Sequence, residues 1–126
     1  MKIDIPCNIL IVDDDYVSNF VSKNTLLRFN KEITCITYED PTLALAYLND
    51  NSQNIDFLLL DINMPMLDGW RFLDSMEEKN IHVPVYMLTS SINPKDIERA
   101  LTYKSVLAFW KKPLTYNTLE VHFETA

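Results

Sequence analysis

Four short segments of this chain carry side chains that could do chemistry. Asp13-Asp14-Asp15 is a run of three carboxylates, Asp61 is a single one, Thr89-Ser90-Ser91 offers hydroxyls, and Lys111-Lys112-Pro113 offers ammonium groups. Each has an ordinary structural reading: Asp15 as a helix cap, a lone Asp as a turn residue, hydroxyls as turn or cap residues, two lysines before a proline as solvated charge. Brought to one place they become something else. Asp13, Asp14 and Asp61 would repel one another without a cation, and hard oxygen ligands suit Mg2+, which keeps several waters and takes only one or two carboxylates directly. A Thr89 hydroxyl and a Lys112 ammonium would add a donor and a positive charge. Such a set fits a phosphoryl group, and a carboxylate can itself be the nucleophile, giving an aspartyl phosphate.

The hydrophobic pattern supplies elements that would gather these segments. Ile9 to Val12, Ile33 to Tyr38, Ile55 to Leu60, Val83 to Leu88 and Val106 to Trp110 read as five strands. Several are solid apolar runs, the pattern of strands buried on both faces. Pro84 sits near the start of its strand, where a missing N–H is tolerated. Between the strands the spacing predicts helices. Tyr16 to Phe29 places Val17, Phe20, Val21 and Leu27 near one face, as in a helix with an apolar stripe. Asp40-Pro41 and Asn93-Pro94 are caps followed by proline in the first turn; they open helices to about Leu48 and Tyr103. Trp70 to Lys79 turns Phe72, Leu73 and Met76 inward, and Thr115 to Phe123 closes the chain with Tyr116, Leu119 and Phe123 at helical spacing. Five βα units in series imply a doubly covered parallel sheet with right-handed crossovers. Ligands of such α/β sheets bind at the carboxyl ends of the strands, and each of the four reactive segments follows a strand.

In this order the motifs resemble those of response-regulator receiver domains of the CheY-like type. The resemblance rests on the acidic pair Asp13-Asp14, on Asp61 with its loop Asp61-Ile62-Asn63-Met64-Pro65-Met66-Leu67-Asp68-Gly69, on Thr89 followed by the small Ser90, and on Lys112-Pro113; it covers the chain from about Asn8 to Phe123. It implies a single receiver domain, residues 1–126, with a flavodoxin-like (βα)5 three-layer fold and strand order 2-1-3-4-5, an order that sets strands one and three side by side. It also implies roles. Asp61 is the phosphoryl acceptor. Mg2+ is held by Asp14 directly, by Asp13 mostly through water, by Asp61 and by the backbone carbonyl of Asn63. Thr89 bonds a phosphoryl oxygen, Ser90 stays small to leave room, and Lys112 pairs with the acceptor and then with the phosphoryl group. The Lys112–Pro113 bond is expected to be cis, and Gly69, the only glycine, to serve a turn of positive φ. Two positions depart from the family. Phe109 stands at the aromatic switch position, where Tyr is common, and Lys104-Ser105 replaces a glycine common before strand five, so that turn is either strained or differently shaped.

The remaining sequence narrows the function classes. The 126 residues are 48% hydrophobic and 23% charged, which fits one ordinary globular domain. Eleven Lys and Arg against eighteen Asp and Glu give a net charge of −7, the wrong sign for direct DNA binding. No apolar run approaches a membrane span of about 18 residues, and the N-terminus has no signal-peptide pattern. Cys7 and Cys35 read as reduced, buried thiols of a cytoplasmic protein. His82 and His122 have no partners at ligand spacing and read as surface or packing residues. The expected partners are a histidine kinase or phosphotransfer protein upstream. Downstream, a protein or a second copy would dock on the face of the fourth helix, fifth strand and fifth helix, carrying Tyr103, Phe109 and Tyr116. The Met1 start and short tail favour a single-domain regulator over a receiver cut from a larger chain. Two other classes compete: a small Mg2+-dependent phosphatase working through an aspartyl phosphate, and a receiver-fold scaffold that is not phosphorylated. The first would need a second carboxylate two residues after the nucleophile, where Asn63 stands. Intact Asp14, Asp61, Thr89 and Lys112 count against the second. The chain thus reads as a signalling domain and not an enzyme.

Overall fold

The structure, a computed structural model, describes residues 2–90 and 93–125; Ser91 lies outside them. In chain order the elements are β1 (Lys2–Ile3), β2 (Cys7–Val12), α1 (Tyr16–Phe29), β3 (Ile33–Tyr38), α2 (Pro41–Asn51), a 3-10 turn (Ser52–Asn54), β4 (Phe57–Asp61), α3 (Gly69–Glu78), β5 (Val85–Thr89), α4 (Pro94–Ala100), β6 (Val106–Lys111), α5 (Tyr116–His122) and β7 (Glu124–Thr125). The solid apolar runs form one parallel sheet in the order β3-β2-β4-β5-β6, which is 2-1-3-4-5 when its five strands are counted alone. The flavodoxin-like architecture expected from the sequence is therefore present. In the register that matters most, Val12 lies opposite Leu60 and Thr89 opposite Lys111. Asp13 and Asp61 thus lie at the ends of adjacent strands, with Lys112 one residue past its own.

Alternation along the strands divides the core in two. Leu10, Val12, Leu58, Leu60, Val85 and Met87 pack with α2 and α3 on one face. Ile9, Ile11, Leu59, Tyr86, Leu88 and Trp110 pack with Leu26 of α1 and with Leu119 and Phe123 on the other. Phe109 and Trp110 therefore point to opposite faces, as successive strand residues must. Asp15, Asp40 and Asn93 cap their helices through side-chain acceptors, as their positions predicted.

Several expectations need correction. In α1 the buried residues are Asn19, Ser22, Thr25 and Leu26, while Val17, Phe20 and Val21 are exposed at 63%, 55% and 36%. The helix is turned so that its polar side meets the sheet. On that side Asn19 Nδ2 donates to Asp13 O just past β2 (2.9 Å), and Thr25 Oγ1 lies within donating distance of Val21 O in its own helix (2.8 Å) and of Leu114 O beyond β6 (3.3 Å). β4 and β5 start two residues later than the apolar runs suggested, because Ile55 and Val83 are buried outside the ladders. Helix α4 stops at Ala100, and Tyr103 is buried against the core, so it is not part of an exposed face. Among the described residues only Asn80 has a positive φ; the Lys104-Ser105 turn is therefore differently shaped and not strained. The parallel pair β1–β7 and the cis Ile5–Pro6 bond went unread, whereas Lys112–Pro113 is cis as expected. Cys7 and Cys35 are free thiols on adjacent strands, Cys7 buried as expected but Cys35 only half-buried, and burial pushes them up to about 12 and about 11.

The rotation of α1 is directly testable. Phe20→Ala should change the urea unfolding free energy by less than about 0.5 kcal/mol, as surface substitutions do. Phe72→Ala, in the fully buried face of α3, should cost about 3–5 kcal/mol.

Candidate functional site

The site is assembled at the carboxyl ends of β2, β4, β5 and β6. Asp13 follows the last residue of β2, and its carboxylate is pinned twice. Oδ1 accepts from Asp15 N–H (2.9 Å), and Oδ2 lies 2.5 Å from Lys112 Nζ. Asp61 ends β4, buried, with Lys112 Nζ at 3.5 Å. Asp14 is exposed beside them, and ligand oxygens of Asp13, Asp14 and Asp61 all fall within 4.8 Å of one another. Lys112 rather than Lys111 reaches this cluster; its side chain is largely covered, whereas Lys111 is exposed. Thr89 ends β5, buried, and its carbonyl accepts from Lys112 N–H (2.6 Å), which ties the lysine's strand end to the hydroxyl's. Asn63 is exposed on the loop after β4. Phe109 is half-buried on β6, opposite Met87 and against the core. The structure thus brings Asp13, Asp14, Asp61 and Lys112 together and places Thr89 on the adjoining strand end.

The electrostatics show an excess of negative charge. Burial is the largest cause raising Asp61, the neighbouring Asp13 charge adds to it, and Lys112 only partly opposes, so its carboxyl is pushed up from 3.8 to about 6. Lys112 is lowered by burial, yet its bonds to Asp13 and Asp61 outweigh that and hold its ammonium up. One lysine against three carboxylates leaves a deficit that a divalent cation with oxygen preference would fill. The donor set therefore fits Mg2+: Asp13, Asp14 and Asp61 would hold it.

Gly69 has a different task from the one its sequence position suggested. Its φ is not positive. It opens α3, whose cap is Asp68, and its N–H donates to Ile62 O (2.8 Å). A Cβ there would lie 2.7 Å from Asp61 O and 2.9 Å from Ile62 Cα. The residue is glycine because the start of α3 presses on the backbone of Asp61. Next to it, Trp70 stacks on Tyr103 (6.3 Å, 17°), Arg99 lies over the indole (4.6 Å) and Tyr103 Oη donates to Asp74 (2.8 Å). This joint between α3 and the end of α4 had no sequence signal beyond unpatterned aromatics. Asn19 was also missed, because a lone Asn in a helix carries no periodicity.

Two outcomes follow. Gly69→Ala should shift the Asp61 and Ile62 amide resonances and lower the unfolding free energy by about 1–3 kcal/mol, the usual cost of overpacking. Without metal, Asp61→Asn should be more stable than the parent above pH 6. A raised carboxyl pKa favours folding only while the group is protonated, so the parent loses stability as pH rises from about 4 to about 6. The gap between the two proteins should therefore be absent below about pH 4 and open as pH rises through that window in urea melts.

Comparison with known proteins agrees with this arrangement. Over 115 residues, 91% of the chain, it is 30% identical to the sensor protein EvgS of Escherichia coli K12, 9% of whose length is matched. It is 28% identical to the cyclic di-GMP phosphodiesterase response regulator RpfG of Xanthomonas campestris over 90% of the chain and 30% of that protein. The chain thus spans less than a third of these curated relatives. Among solved structures, a two-component response regulator from Cytophaga hutchinsonii is 28% identical and superposes with a TM-score of 0.78 over 96% of this chain and 94% of its own. The chemotaxis protein CheY4 of Vibrio cholerae, 24% identical, shares the fold with a TM-score of 0.77 over 92% of this chain and 94% of its own. The family profile described as the response regulator receiver domain matches residues 9–124, and the chain belongs to that family.

Proposed function

We propose that this receiver accepts a phosphoryl group on Asp61 in a two-component phosphorelay. The observation that carries the reading is the buried Asp61 at one strand end, with Asp13 and Asp14 within ligand distance and Lys112 reaching both Asp13 and Asp61. An oxygen of Asp61 attacks phosphorus in line, forming the acyl phosphate bond. The P–N bond of a donor phosphohistidine, or the P–O bond of a small acyl phosphate, breaks and its electron pair leaves with the donor. Asp13 and Asp14, with Asp61 and the Asn63 carbonyl, are the residues that would hold Mg2+, which supplies charge neutralisation when bound. Lys112 sheds its contact to Asp61 for the new phosphoryl oxygens. Thr89 turns its hydroxyl to them in a charge-assisted hydrogen bond. Asn63 offers no carboxylate for proton transfer, which disfavours turnover as a phosphatase, so signalling and not enzymatic catalysis is the reading adopted.

The output follows from packing. Movement of Thr89 opens space beside β6, and the half-buried Phe109 can turn into it. With no hydroxyl, its inward state is favoured by apolar burial. The face of α4, β6 and α5 then changes. It carries exposed Leu101, Leu107 and Tyr116, and a downstream protein or a second copy of the chain docks there. The phosphodonor, a histidine kinase or phosphotransfer protein, meets the site beside the exposed Tyr16, Val17, Phe20 and Val21 of α1. The acidic charge argues against DNA as a direct partner. No helix among the described residues is long and apolar enough to cross a membrane, and a cytoplasmic location suits the proposed donors.

Intact mass after incubation with acetyl phosphate and Mg2+ tests the reading. The parent should gain one phosphoryl group, and Asp61→Asn none. Equal labelling of Asp61→Asn would move the chemistry elsewhere, and rapid multiple turnover of donor would favour the phosphatase.

A further inference from the structure

The inward face of α1 is polar where an apolar face would pack against the sheet at lower cost. Asn19 is the sharpest case. It is 3% exposed, and its Oδ1 is buried with no hydrogen-bond partner among the described residues. A buried amide oxygen left in that state costs free energy, which an aliphatic side chain would avoid. The compensation lies at the other end of the amide. Asn19 Nδ2 donates to the carbonyl oxygen of Asp13 at 2.9 Å and points to Tyr38 O at 3.5 Å. Both acceptors are carbonyls, so the orientation of the amide is fixed.

The consequence is a fully held aspartate. Asp13 N–H donates to Tyr38 O (3.1 Å), its carbonyl accepts from Asn19, and its carboxylate accepts from Asp15 N–H while pairing with Lys112. The Asp13 carbonyl belongs to the rigid peptide plane that runs on to Asp14. Holding that oxygen sets the direction in which Asp14, exposed and bound by nothing comparable, leaves the strand. Asn19 is itself anchored one turn after the Asp15 cap, its N–H on Asp15 O (3.1 Å), so the amide is presented by the first rigid turn of α1.

We propose that Asn19 is a positioning residue for the acidic pair: by holding the peptide plane between Asp13 and Asp14 it presets both carboxylates for the cation, although it touches neither carboxylate. The proposal rests on the reading of the site as a Mg2+-dependent phosphoryl acceptor. It explains why a helix with four exposed apolar residues on one side spends a buried position on an amide. Groups that hold metal ligands without binding the metal commonly change its affinity by about 10- to 100-fold when removed.

The test measures Mg2+ affinity of the whole chain by amide shifts, with Mg2+ alone as the probe. Asn19→Leu, which removes the donor and suits a buried helix face, should weaken Mg2+ binding by about tenfold without lowering the thermal midpoint of the metal-free protein. Asn19→Gln, which retains the amide on a longer stem, should recover part of the affinity. Leu26→Val, which loosens the same helix without touching Asp13, should bind Mg2+ as the parent does. Should Asn19→Leu fail to fold, Asn19→Ala takes its place with the same expectation. Parent-like affinity in the Leu or Ala variant overturns the proposal, as does equal weakening in Leu26→Val. If the parent binds no Mg2+ at all, the phosphoryl-acceptor reading falls first and takes this inference with it.

Discussion

Like charges at the ends of neighbouring strands repel, and in this fold they have no way to part. Asp13 and Asp61 continue ladders in which Val12 faces Leu60. Their separation is therefore set by hydrogen bonds along the sheet and by two apolar cores, not by the carboxylates. With Asp14 they crowd oxygens within 4.8 Å, where two unit charges repel by on the order of 3 kcal/mol at an effective dielectric constant near 20. Lys112 is the only cation in direct contact among the described residues, and it lies closer to Asp13 than to Asp61. Asp61 is thus left as the under-neutralised member, buried and raised. An unsatisfied cluster costs stability, and under the proposed function a cation or a phosphoryl group would change that balance.

The scaffold around the cluster is organised to keep it so. Gly69 lets the start of α3 press against the Asp61 backbone, and the adjacent Trp70 carries that contact to Tyr103 and Arg99. On the opposite side α1 offers its polar face, with Asn19 on the Asp13 carbonyl and Thr25 on the Leu114 carbonyl just beyond the Lys112–Pro113 bond. The Asp61 backbone and the acidic pair are each contacted by a helix that begins beside them. Of the apolar residues this arrangement leaves outside on α1, Val17 and Val21 line a surface cavity together with Lys112.

Where periodicity and burial agree, the sequence was readable. β2 and β4 are nearly continuous aliphatic runs, legible as strands although their first residues differ by two from the apolar runs, and Phe72, Leu73 and Met76 form a single buried stripe. The cap-plus-proline pairs gave the starts of α2 and α4. Four motif segments, each ambiguous alone, became one site because the strand order is fixed by crossover handedness and buried sheet faces. What could not be read has a common physical cause. The rotation of α1 goes with hydrogen bonds from Asn19 to the Asp13 carbonyl and from Thr25 to the Leu114 carbonyl, and such bonds leave no hydrophobic period. Gly69 suggested a turn because glycine often serves one, whereas here it serves a close backbone approach. Tyr103 is buried by Trp70, a partner more than thirty residues away, and the β1–β7 pair joins opposite ends of the chain.

The central claim, that packing holds Asp61 among negative charges its lysine cannot fully offset, is tested most directly by following its carboxyl carbon by 13C NMR against pH. Without Mg2+, Asp61 should titrate near 6 rather than near 3.8, and saturating Mg2+ should move its midpoint down. A midpoint at the ordinary aspartate value, or one that Mg2+ leaves in place, would contradict the account.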